Sequence, residues 1–158
     1  MSSKKYIYYG IISGFVAAIF EAIMFYIFDF IVFLPPGYQF TAIGERVLGI
    51  SGSYGTLYGI LLHFLVGTVV GMFAAIISYY VIALRIKNMG TGIGIGILAG
   101  FLILILFSLP VNIFLLHLYV YEKYYLPSTF FYYTMHVFFG AVWGIFLGYF
   151  ITHGRHNN

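Results

Sequence analysis

Four stretches of this chain are apolar for longer than a bilayer is thick. Tyr6 to Leu34, Leu57 to Leu84, Thr91 to Leu118 and Phe130 to Ile151 each supply the roughly 20 apolar residues that a spanning helix needs. They are continuously apolar rather than alternating, which selects helices over membrane strands. Only 7% of residues are charged, where a soluble domain carries about a quarter, so the bilayer must be the solvent for most of the protein. The first run is too long for a signal peptide's apolar region and lacks a small-residue cleavage site, which makes it a helix of the mature chain. The expected fold is an all-α integral membrane protein: one membrane domain over 1–158, with four transmembrane helices in a bundle.

Orientation follows from the basic residues. With the N-terminus inside, Lys4, Lys5, Arg85, Lys87 and Arg155 lie on the cytoplasmic side, leaving Arg46 and Lys123 outside. This bias favours N-in/C-in topology and a multi-pass protein of the cell membrane. The formal charge of +3 then reports topology and contact with acidic lipid headgroups, with no basic cluster dense enough for nucleic acid. The absence of cysteine excludes disulfides, thiolate metal sites and covalently attached haem.

Within the second and fourth runs the pattern His-x-x-x-Gly-x-x-x-Gly occurs twice, as His63-Gly67-Gly71 and His136-Gly140-Gly144. Positions four apart drift by about 40° around a helix, so each histidine lies on the stripe its glycines leave bare for close helix contact. The first and third runs share a second pattern, Gly10-Ile11-Ile12-Ser13-Gly14-Phe15 against Gly96-Ile97-Leu98-Ala99-Gly100-Phe101. Two motifs repeating in the same order indicate two helical hairpins related as a parallel repeat about the membrane normal.

The connections differ between the halves. The outer loop 35–56 carries Pro35-Pro36-Gly37, which stops the preceding helix, and its stretch Thr41 to Ile50 is expected as a short helix on the membrane surface. The outer loop 119–129 is rich in tyrosine, an interfacial signature, and Ser128 or Thr129 is placed to cap the fourth helix. Pro110, with Ser108 and Asn112, is expected to kink the third helix.

Three residues carry candidate chemistry. Counted from the helix starts, His63 and His136 lie at matching depths, roughly 9 Å below the outer surface. Facing each other, they can supply both axial ligands of a b-type haem, with the glycines making room for the macrocycle and Arg46 and Lys123 pairing with its propionates. Glu21 falls within about 20° of the Gly10 and Gly14 stripe, an interior carboxyl about a turn deeper than the histidines. Burial disfavours its charged form, so it is expected protonated unless a cation is near. With His63 and His136 it also suits a divalent metal, or it can order an imidazole as a hydrogen-bonding neighbour. Against these stand plain helix packing by the histidines, a protonated Glu21 bonded to a neighbouring polar group, and proton or quinone chemistry. Asp29, near the outer interface, reads as solvated, and Trp143 as core or subunit interface.

Four apolar helices with a lone glutamate, Glu21, in the first resemble the small multidrug transporters, in which a membrane-embedded glutamate exchanges protons for cationic drugs. The resemblance covers the helix count and Glu21 alone, since this chain is longer, has larger outer loops and carries histidines foreign to that pattern. Through His63 and His136 it also resembles bis-histidine membrane cytochromes, without their paired histidines on each of two helices.

No nucleophile and base pair, phosphate loop or thiolate cluster is present, so independent catalysis is not expected. The residues imply a small integral subunit packed against larger membrane partners, in a respiratory or other redox assembly. The alternatives are a haem- or metal-binding electron-transfer subunit using His63 and His136, and a proton-coupled transporter or channel centred on Glu21.

Overall fold

The computed structural model describes residues 1–111, 114 and 125–154, and the regular structure among them is helical throughout. The order is α1 (Ser3–Ile31), α2 (Tyr38–Leu48), α3 (Gly52–Tyr80), α4 (Met89–Ile103) and α5 (Tyr125–His153). Four helices are long and apolar enough to cross a membrane: α1, α3, α4 with its continuation to Ser108, and α5. A multi-pass membrane protein follows from their length and composition.

The helix ends depart from the expected boundaries for local reasons. Ser2 caps α1 by accepting from the Lys5 N–H at 3.4 Å, and α1 closes before Phe33, whose φ of 58° is left-handed. At the far end of α3, Val81 turns extended and Ile82–Leu84 forms a single 3-10 turn, so the helix stops at Tyr80 rather than Leu84. Asn88 and Thr91 then form a reciprocal capping box that starts α4 at Met89. Helix α5 begins at Tyr125, which places Ser128 and Thr129 inside it rather than at its cap.

Glycine decides which helices pair. A Cβ on Gly14 would lie 2.6 Å from the Gly67 carbonyl oxygen, and one on Gly71 as close to Gly14 Cα, so α1 and α3 meet backbone to backbone. On the other side a Cβ on Gly96 would fall on the Gly140 carbonyl, and one on Gly144 on that of Gly92, which brings α4 onto α5. The four stripes at Gly10 and Gly14, Gly67 and Gly71, Gly96 and Gly100, and Gly140 and Gly144 are thus filled by neighbouring helix backbone or by Ala75.

The two pairs join through α1 and α5, which run in opposite directions. Tyr9 stacks on Phe150 at 5.1 Å near the termini, and Phe28 on Phe131 at 4.0 Å at the other end. Among the described residues α3 and α4 share no packed interface, so α1 and α5 form the middle and α3 and α4 flank them. The central core combines Ala17 and Ala18 of α1 with Phe139, Val142, Trp143 and Leu147 of α5.

Helix α2 is a correction to the expected surface helix. It starts at Tyr38 and buries Phe40, Ala42 and Gly44, with Gly44 against the backbone of Gly55 and the Phe40 carbonyl against Gly59. Small residues on α3 let a short helix sink in rather than float. Where a kink was expected before Pro110, α4 instead widens into one π-helical turn, Leu104–Ser108. The wider turn answers a proline's missing N–H and its clash with the preceding turn.

Candidate functional site

Glu21 lies on the α1 face that carries Gly14 and Ala18, and it is 4% exposed. Its carboxylate sits between two histidines from different helices. Oε2 is 3.7 Å from His63 Nε2 on α3, and Oε1 is 4.0 Å from His136 Nδ1 on α5. Both separations exceed a direct hydrogen bond, for which N and O approach to about 2.7–3.2 Å. Oε1 is buried with no hydrogen-bond partner among the described residues.

Each imidazole is held from a second direction. His63 Nε2 lies 3.1 Å from the Ala18 carbonyl oxygen, which can only accept, so this nitrogen carries the hydrogen and donates it. His136 Nε2 is hydrogen-bonded to the Ser108 hydroxyl, at the end of the π-helical turn, which leaves Nδ1 towards Glu21. Ser108, read from sequence as a companion of a kink, is therefore the residue that orients His136.

The surroundings are apolar and aromatic. The Phe40 ring meets His63 edge-on at 5.3 Å and Phe25 at 6.0 Å, closing the site from the α2 end. Towards the termini lie Ala17, Ala18, Phe139 and Trp143. Phe40 escaped the sequence analysis because nothing marked α2 as inserted. The small residues Gly44, Gly55 and Gly59 were the signal, since only close backbone approach uses them that way.

Asp29 is a correction. It is 3% exposed, not solvated, and its Oδ2 accepts from the backbone N–H groups of Gly37 at 2.8 Å and Tyr38 at 3.1 Å. It caps the entry of α2, where Gly37 has no side chain of its own to do so and takes a φ of 77°. Trp143 is core, 1% exposed, rather than an outer surface.

The residues do not fit a haem. The Glu21 carboxylate stands between the two imidazoles, and the space beside each histidine is occupied. A Cβ on Gly67 would meet Ala18 Cβ at 2.6 Å and the Phe139 ring at 3.3 Å, and one on Gly140 would meet Gly100 Cα at 2.9 Å. Arg46 is exposed on the last turn of α2, and no contact joins it to either histidine. Lys123 lies outside the described residues. A divalent metal fits no better. His63 Nε2 has committed its hydrogen to Ala18, and no group of three candidate ligands is set to hold an ion among the described residues.

What the cluster can do is hold a proton. Three groups that bind protons at accessible pH share one dry interior site, where each change of protonation alters the charge of the others' surroundings. Compared with protein-family models, with curated proteins and with solved structures, the chain matches none.

Proposed function

We propose that the chain is a proton-coupled membrane protein, a transporter or channel in which the Glu21–His63–His136 cluster takes up and releases protons. The observation that carries this reading is the buried Glu21 carboxylate held within 4.0 Å of histidines from two other helices, with Oε1 left unpartnered. An ionisable carboxyl in a membrane interior is costly, and one placed between titratable imidazoles is suited to exchange of a proton. In this reading the four helices form one domain of the cell membrane with both termini inside, and the matching glycine contacts of α1 with α3 and α4 with α5 reflect an internal duplication.

The test is proton flux into vesicles reconstituted with the purified protein and loaded with a pH-sensitive dye, under an imposed membrane potential. Wild type is expected to carry protons, and Glu21→Gln to fall to the level of protein-free vesicles. Equal flux in the two would overturn the proposal.

A second reading, an accessory subunit of a larger membrane assembly, is favoured by the flanking helices. Broad apolar faces of α3 and α4, including Leu61, Leu65, Phe73, Leu98 and Phe101, remain uncovered within the chain. Mild extraction followed by native mass measurement tests it: stable larger partners support it, and a free chain counts against it.

A further inference from the structure

Two complementary polar groups are buried without partners on the packed faces of α1 and α5. Glu21 Oε1 is an acceptor, and Trp143 Nε1 can only donate. A buried polar group left unmade costs on the order of 1–3 kcal/mol, so two of opposite kind in one interior require an account.

Their placement brings them towards each other. Glu21 reaches His136 across the α1–α5 contact, and Trp143 follows His136 by seven residues, two turns closer to the termini on the same face. Side chains on a helix lean towards its N-terminus. Because α1 and α5 run in opposite directions, the Glu21 carboxyl leans towards the termini and the Trp143 indole leans away from them. Between these positions the α1 face carries only Ala17 and Ala18, both fully buried, which leaves little bulk in the way. Trp143 and both alanines belong to one packed cluster.

We propose that one water molecule bridges Trp143 Nε1–H and Glu21 Oε1, making Trp143 a positioning residue of the proton site. The inference rests on the reading of Glu21 as the proton-binding group. A buried water typically makes about three hydrogen bonds. Here it donates to Oε1, accepts from the indole, and has a further hydrogen for His136 Nδ1, which lies 4.0 Å from the same oxygen. The groups whose charge acts on it are Glu21 of α1, His63 of α3 and His136 of α5. α2 contributes the uncharged Phe40, and Asp29, eight residues along α1, is engaged with the start of α2. Protonation of Glu21 turns its carboxylate from pure acceptor to donor, so the water must reorient and the indole bond must change with it.

Trp143 is the single tryptophan of the chain, so its indole N–H gives one resolvable nuclear magnetic resonance signal in the intact protein in detergent micelles. The expected result at fixed pH is a hydrogen-bonded Nε1–H signal with a cross-peak to bound water, displaced in Glu21→Gln and unmoved in Ser13→Ala. An unmoved signal in folded Glu21→Gln, or a contact to the carboxyl with no water, would overturn the proposal. If Glu21→Gln fails to fold, Trp143→Phe decides. That variant keeps an aromatic ring but no donor, and the pH midpoint of proton binding by the purified protein should move, whereas an unchanged midpoint would sink the idea. The signal reads the bridge and vesicle flux reads the function, so flux without a displaced signal refutes only the water, and a displaced signal without flux refutes only the transport reading.

Discussion

Asp29 holds Gly37: the carboxylate near the end of α1 accepts the first backbone N–H of the turn into α2 at 2.8 Å, and that of Tyr38 beside it at 3.1 Å. One buried side chain thereby fixes the angle at which α2 enters the protein. Replacement by alanine leaves two N–H groups unsatisfied, and charge-assisted bonds of this kind contribute about 1.5–3 kcal/mol each. Asp29→Ala is expected to lower stability by about 2 kcal/mol and to free α2. Thermal unfolding in detergent and amide hydrogen exchange across Tyr38–Leu48 check both, and unaltered exchange there would argue against the capping role.

Phe40 is the reason α2 matters to the interior. Fully buried, it touches Phe25, Tyr26 and His63. Truncating a buried phenylalanine typically costs about 3–5 kcal/mol through lost contacts and the cavity left behind. Phe40→Ala should destabilise towards the lower end of that range and admit water to His63. Faster exchange of the His63 ring N–H, measured alongside unfolding, would show the second effect, and the same exchange rate as wild type would contradict it.

At the other end of the molecule, the Tyr6 hydroxyl and Ser78 Oγ are 2.7 Å apart, and the Ile86 N–H donates to the same Tyr6 oxygen at 3.3 Å. Hydrogen bonds between membrane helices average about 0.6 kcal/mol and reach about 1.7. Tyr6→Phe is expected to cost about 1 kcal/mol, Ser78→Ala similarly, and the double variant less than the sum. A double-mutant cycle with strictly additive losses would show that the pair is not coupled.

Gly144 permits the closest approach of α4 and α5, since a Cβ there would fall on the Gly92 carbonyl oxygen. Backbone cannot yield as a flexible side chain can, so Gly144→Ala should separate the two helices at a cost of about 1–3 kcal/mol. Gly94, with nothing within 4 Å of a Cβ, is the matched control, and Gly94→Ala should be neutral or slightly stabilising. Equal thermal stability of the two variants would reject this account of the pairing.

Much of this was legible in the residues. The four apolar runs follow from the length of chain that a bilayer can cover, and the interior position of Glu21 follows from helical periodicity counted from Gly10 and Gly14. What escaped was whatever depends on a neighbour distant in sequence. Asp29 looked solvated because its acceptors' partners, the N–H groups of Gly37 and Tyr38, return to it only through the loop's path. The expected macrocycle space beside Gly67 and Gly140 vanished for a related reason: a bare helix face shows that something approaches, not whether it is a cofactor or another helix.

The sequence by itself determined the solvent, the helices and the faces they turn inward, because apolar length and a period of 3.6 are local properties. Only the tertiary structure decided that α1 and α5 form the middle, that α2 inserts over His63, and that Ser108 and Ala18 hold the two imidazoles beside Glu21. Those outcomes turn on which glycine face finds which backbone, and that competition is settled by close packing between segments rather than within them.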